Sequence, residues 1–202
     1  LTEPLPRFFS AWAWSGVASV LIVGALLAWP LPRSSIDWQP ALAAAQPWRA
    51  WSAVFVHFSA LHLGANLAGA LLVAVLGQAV PVPARCAVAW LLAWPLTQAG
   101  LLAQPALAHY GGLSGVLHAG VAVVAVHLLL AGSRAQRRIA AAIAVGLALK
   151  LLGEAPWEGP LRHPAGWDIA VAPLAHVTGT ASGAICAALA EWWCRARPNI
   201  VQ

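Results

Sequence analysis

"GGLSGVLHAGVAVVAVHLLLAG", residues 111–132, is an apolar run that opens with a single serine, Ser114, set between glycines. A helix needs about 20 apolar residues to cross a hydrocarbon core roughly 30 Å thick, so this stretch reads as a membrane span. Ser114 then has two readings: a small residue that lets helices pack, or a nucleophile. The rest of the chain fits a bilayer as well. Its 202 residues are 61% hydrophobic and 8% charged, with a mean hydropathy of +0.76, outside the range of soluble globular domains.

Apolar windows fall at about 11–31, 60–80, 84–104, 113–131, 136–152 and 169–194, divided by stretches that collect Pro, Gly and charge. This predicts an all-α polytopic membrane protein, a six-helix bundle forming one membrane domain over residues 1–202. The first window follows Arg7 as a signal peptide would, but Trp12, Trp14 and Trp29 bracket a spanning length and no small-x-small cleavage site follows before "PLPRSSIDWQP", so it is read as a retained helix. Six spans put both termini on one side. Arg7, Arg85, Arg134, Arg137, Arg138, Arg195 and Arg197 flank that side, against Arg33, Arg49, Lys150 and Arg162 on the other. By the positive-inside rule the termini are cytoplasmic, and segments 32–59, 105–112 and 153–168 face outward. The first of these is Trp-rich and is expected to lie in the membrane interface.

Cations this few form no basic stripe, which argues against a nucleic-acid partner. Cys86, Cys186 and Cys194 sit in or beside apolar runs without metal-ligand spacing, and are read as small buried side chains; no metal site is expected.

Polar residues inside spans are expensive and mark functional hypotheses. Four gather at the outward ends of their helices: Ser114 opens the fourth span, His176 lies in the sixth within "AHVTGTASG", and His62 and Asn66 share a face of the second in "HLGAN". A serine nucleophile needs a base and donors for the oxyanion formed when a carbonyl is attacked. His176 can be the base. Gly111 and Gly112 permit a tight entry to the helix, whose unpaired N–H groups face developing negative charge, and His62 and Asn66 can add side-chain donors. Gly115, Gly179 and Gly183 strip bulk from the fourth and sixth helices, which allows close approach with or without chemistry.

These residues, in this order, carry a resemblance. "HLGAN" with His62 and Asn66, "GLSG" with Ser114, and "AHVTGTASG" with His176, Gly179 and Gly183 are similar to motifs of the rhomboid family of intramembrane serine proteases, as are Trp48–Arg49 and "HFSALH", residues 57–62. The resemblance spans the whole chain. It implies a six-helix core, a Ser114–His176 dyad without a third acidic member, and an oxyanion site from His62, Asn66 and the backbone at Leu113–Ser114. The sequence agrees in offering no mid-span acid to orient His176; Glu154 and Glu158 fall in a loop and receive no role. Many bacterial members carry a tyrosine four residues after the serine that stacks on the histidine. His118 stands there, one helical turn on and about 40° round, and is expected to replace it.

With the short chain and "GLSGVLH", this resembles the rhombosortase subgroup. The subgroup implies a bacterial inner-membrane enzyme acting on the periplasmic side, without cofactor. Its partners would be membrane-anchored proteins bearing a C-terminal Gly-Gly motif, an apolar span and a basic end.

Other readings stay open. His118 could be the base in place of His176, and a relative without activity could simply bind transmembrane helices. His62, His118 and His176 could ligate haem in an electron carrier, though that leaves Ser114 and Asn66 without a task. Away from these, His57 reads as a loop or interfacial histidine, His127 as an interhelical donor pointing away from Ser114, and His109, Tyr110 and His163 as solvated loop. Thr97 and Gln98 are expected to bond between helices, and Arg49 to fold the first outward loop.

Overall fold

Proline and glycine set the ends of the helices. The computed structural model describes residues 5–80 and 82–196, with side chains from Trp12 onward. Both chain termini, Arg197 and the side chain of Arg7 lie outside the described residues. Helix α1 (Leu5–Ala28) stops ahead of the Pro30–Pro32 pair, short of the expected residue 31. There follow α2 (Ala60–Ala79), α3 (Ala84–Ala99), α4 (Ser114–Ala131), α5 (Arg134–Gly153) and α6 (Pro173–Ala196). The sixth window was expected to begin at 169; α6 instead starts at Pro173. Proline fits the first helical turn, where no N–H partner is required, and holds the residue before it extended. Two residues before this proline, Val171 pairs with Arg162 in an isolated bridge, and among the described residues no regular strand forms.

The result is a polytopic helical membrane bundle. Ala60–Ala79, Ala84–Ala103, Ser114–Ala131 and Pro173–Ala196 are each long and apolar enough to cross a bilayer, and α1 offers an apolar stretch over Trp12–Ala28. Helix α5 differs. It opens with Arg134, Arg137 and Arg138 after a capping box made by Ser133 and Gln136, and Ala140 is its one buried residue among those described. It packs on the bundle's flank and presents most of its surface outward.

Helix α4 runs through the centre, with buried positions on every side. It and α6 meet backbone to backbone: a Cβ added at Gly179 would overlap the carbonyl oxygen of Gly115, and one at Gly183 the carbonyl oxygen of Ala119. This is small-residue packing, which replaces the hydrophobic drive that lipid cannot supply. Gly179→Ala should force the two helices apart. We expect it to cost about 1–3 kcal/mol and lower the thermal midpoint in detergent, and to reduce any activity that needs His176, one turn earlier, near Ser114; an unchanged midpoint would contradict the contact.

Indole N–H groups add ties between neighbouring helices, because a buried donor in a membrane must find an acceptor. Trp14 of α1 donates to the Val73 carbonyl of α2 at 2.9 Å, and Trp90 of α3 to the Val116 carbonyl of α4 at 2.7 Å. The two rings lie 4.5 Å apart between centroids. At the end of the bundle away from Ser114, Glu191 of α6 receives Arg85 of α3 at 2.8 Å and His127 of α4 at 2.7 Å. His127 is thus an interhelical donor remote from Ser114. Thr178 of α6 donates to the Thr97 carbonyl of α3 at 2.9 Å. The side chains of Thr97 and Gln98 depart from expectation: the Thr97 hydroxyl bonds back to Ala93 in its own helix at 2.8 Å, and the Gln98 amide is buried without a hydrogen-bond partner among the described residues.

The long segment between α1 and α2 is folded around a buried ion pair. Arg49 donates to the Asp37 carboxylate at 3.0 Å and to the Asp37 carbonyl at 2.8 Å, and the second carboxylate oxygen lies 2.6 Å from His109 Nδ1. Trp38 and Tyr110 exchange backbone hydrogen bonds at 2.8 and 2.9 Å. Tyr110, expected as solvated loop, is instead buried and braces the chain entering α4, while His109 stays exposed as expected and sets its ring against the Asp37 carboxylate. Asp37 is 72 residues from His109 in sequence, a pairing that local pattern does not carry.

Candidate active site

Ser114 is the first residue of α4, so its backbone N–H has no partner within the helix and faces the helix's positive end. Gly112 precedes it at φ +125, a left-handed conformation that favours glycine. A side chain there would also strike His62, whose Nε2 is 2.7 Å from the position of the missing Cβ. The absent side chain leaves room beside Ser114 for groups from α2.

From α6, His176 reaches Ser114: its Nε2 lies 2.9 Å from Oγ. Its other nitrogen, Nδ1, lies 2.6 Å from Oε2 of Glu154, the residue that caps the end of α5. This differs from the expectation of a histidine with no acidic partner. The apolar pattern gives no sign that the end of α5 and the start of α6 lie side by side, since residues 155–172 intervene. A carboxylate only accepts hydrogen bonds, so Nδ1 carries the proton and Nε2 presents a lone pair to the serine hydroxyl. Lys150, one turn earlier on α5, pairs with the other oxygen of Glu154. Burial works to raise the Glu154 carboxyl, but the hydrogen bond and charge of His176, together with Lys150, outweigh it and bring the group down to about 2.

His118 stacks flat on His176, with centroids 4.2 Å apart and planes 16° apart. Its Nδ1 donates to the Ser114 carbonyl oxygen at 2.7 Å, one turn back along α4. That bond engages Nδ1 with the backbone, so Nδ1 offers no lone pair to Oγ. Nor do His118 and His176 suit a haem as a pair: ligands to opposite faces of one iron must point at each other across it, whereas these rings lie parallel in contact, and both nitrogens of His176 are engaged.

On the other side of Ser114, the Phe58 N–H lies 3.4 Å from His62 Nδ1, leaving Nε2 to point toward Gly112. Asn66 Nδ2 donates to the His62 carbonyl at 3.0 Å and keeps a second hydrogen free. The N-cap of α2 aligns this pair: Ser59 Oγ accepts the His62 N–H at 3.0 Å and donates to Asp168 at 2.7 Å. His57 stays in the loop, its Nδ1 3.1 Å from the Phe55 carbonyl, with burial bringing its pKa down to about 4.

His62, Asn66, Ser114, His118, Glu154 and His176 all line one cavity of about 790 Å³. Leu113 is fully buried behind it and can contribute only backbone, while Gly115, Gly179 and Gly183 form the helix contact beneath. Of the lining residues that sequence reasoning left without a role, two bear directly on the site. One is Glu154. The other is Tyr110, whose hydroxyl lies 3.5 Å from the Gly112 carbonyl and whose burial pushes the phenol up to about 12. In sequence both look like ordinary loop polar residues.

A serine, a histidine with its lone pair on that serine, and a helix N-terminus beside them are the parts of an acyl-transfer centre at the end of a membrane bundle. A family model described as Rhomboid domain matches residues 44–192, a stretch that contains every one of these groups. The chain belongs to the rhomboid family. Rhomboids are intramembrane serine proteases that act on transmembrane substrates within the bilayer. Comparison with curated proteins gives no match.

Proposed function

We propose that this rhomboid is an intramembrane serine endopeptidase in which Ser114 is the nucleophile and His176 the general base. The observation that carries the reading is the 2.9 Å approach of Nε2 to Oγ across two helices packed on glycine. A substrate carbonyl entering the cavity is attacked by Oγ as the hydroxyl proton passes to Nε2. The oxyanion is held by the Ser114 N–H at the start of α4, the backbone at Leu113, and the side-chain donors His62 Nε2 and Asn66 Nδ2. The imidazolium then protonates the leaving amine, giving an acyl-enzyme. A water deprotonated by His176 hydrolyses that ester and restores the serine. His118 keeps the base in plane by stacking on it.

Asn66→Ala should lower kcat by about 10–1000-fold with little change in KM, because an oxyanion donor acts mainly in the transition state. Cleavage kinetics with a transmembrane substrate check this; a change confined to KM would assign Asn66 to ground-state binding.

The finer reading is a rhombosortase, acting as one six-span domain in a bacterial inner membrane with the Ser114 end toward the periplasm. Its substrates are exported proteins whose C-terminus carries Gly-Gly, an apolar span and basic residues. Glycine supports this choice, since it resists helix formation and offers an unhindered carbonyl to a nucleophile seated among glycines at a helix start. Co-expression with such a protein, followed by mass spectrometry of the released end, tests it: a new C-terminus at or beside the Gly-Gly pair is expected. Cleavage of unrelated transmembrane proteins with this one left intact would keep the protease and remove the subgroup.

A further inference from the structure

Glu154 is the one charged group in contact with His176 among the described residues, and the proton transfers between Ser114 and His176 do not pass through it. We propose that Glu154 is a positioning residue that completes a Ser114–His176–Glu154 relay, fixing the imidazole's tautomer and stabilising its protonated form; this rests on the reading of Ser114 and His176 given above.

The geometry supports both roles. The carboxylate oxygen lies 2.6 Å from Nδ1 while Nε2 lies 2.9 Å from Oγ, so the ring is held from its two nitrogens along one line of hydrogen bonds. Without an acceptor at Nδ1, the neutral ring could place its proton on Nε2, where it would oppose the serine hydroxyl and could not act as base. The pairing strengthens when Nε2 takes the serine proton, because a neutral donor then becomes a cation facing an anion. The proton stays on Nδ1 throughout, and Glu154 itself is not protonated.

The carboxylate is itself held. Lys150 pairs with Oε1, which leaves Oε2 turned to His176. Glu154 ends α5, and the Glu154 N–H bonds to the Lys150 carbonyl at 3.1 Å, so the ammonium and the carboxylate share one helical turn. The other groups facing His176 are His118 and Ser114 from α4, His62 from α2, and Tyr110 from the segment before α4. None of these supplies an anion that could substitute for Glu154. Asp168, a carboxylate lying toward His62, is engaged by Ser59.

The test is the pH dependence of kcat and kcat/KM for the full chain in detergent, with a transmembrane substrate. Glu154→Gln should lower kcat by roughly 100-fold or more, leave KM nearly unchanged, and move the acidic limb of kcat/KM to lower pH, since the imidazolium loses its anion. Lys150→Gln removes a cation from the same group and should move that limb to higher pH. A role confined to bracing α5 against α6 would lower stability and move neither limb. Wild-type kcat in Glu154→Gln, or limbs unmoved in both variants, overturns the proposal. If Glu154→Gln does not fold, the limb of Lys150→Gln decides alone. Cleavage that survives Ser114→Ala or His176→Ala would instead overturn the underlying assignment, whatever Glu154 does.

Discussion

Ser114→Ala is expected to abolish proteolysis while leaving the protein folded. The hydroxyl's bond to His176 is its one hydrogen bond to another helix, and alanine at the first position of α4 is compatible with the helix and keeps its close packing. The buried His176 Nε2 loses its serine partner, so the stability cost should be about 0.5–1.5 kcal/mol, too little to unfold the bundle. Removing the nucleophile of a comparable hydrolase costs about a millionfold in kcat, which places residual cleavage below detection. Two measurements check this: cleavage of a co-expressed substrate, and labelling of purified protein by a fluorophosphonate probe, both lost in the variant while its thermal midpoint falls by no more than a few degrees. Labelling that persists would put the nucleophile elsewhere and defeat the mechanism.

His176→Ala should be as severe in activity and more costly in stability. Loss of the base removes labelling as well as cleavage, because an unactivated serine attacks the probe slowly. His118 cannot take over, since its Nδ1 is bonded to the Ser114 carbonyl and its ring lies face-on to the vacated space. Truncating a buried ring that meets Ser114, His118 and Glu154 should cost about 1–3 kcal/mol, visible as a lowered thermal midpoint. Near wild-type cleavage in this variant would move the base to His118 and reverse the reading of the stack.

The residues that sequence and structure both bring forward share one property. Ser114, His176, His62 and Asn66 are polar positions in otherwise apolar helical runs, where any polar group costs free energy and stands out against its neighbours. Helical periodicity puts His62 over Asn66 and Ser114 over His118 from spacing alone, and glycines three and seven residues after His176 mark a face open to close approach. The structure gathers the polar positions and His118 around one cavity, with Gly179 and Gly183 in the helix contact beneath it.

By itself, then, the sequence determined the membrane class, the approximate spans and the polar positions within them, because hydropathy and helical period are local quantities summed along the chain. Tertiary structure alone decided that Glu154 meets His176, that Asp37 joins Arg49 to His109, and that Tyr110 is buried beside Ser114. Each of those lies in a connecting segment, where a polar residue normally costs nothing in water and so carries no signal. Its energy changes only when the fold removes it from solvent, and the partner that then satisfies it comes from a distant part of the chain.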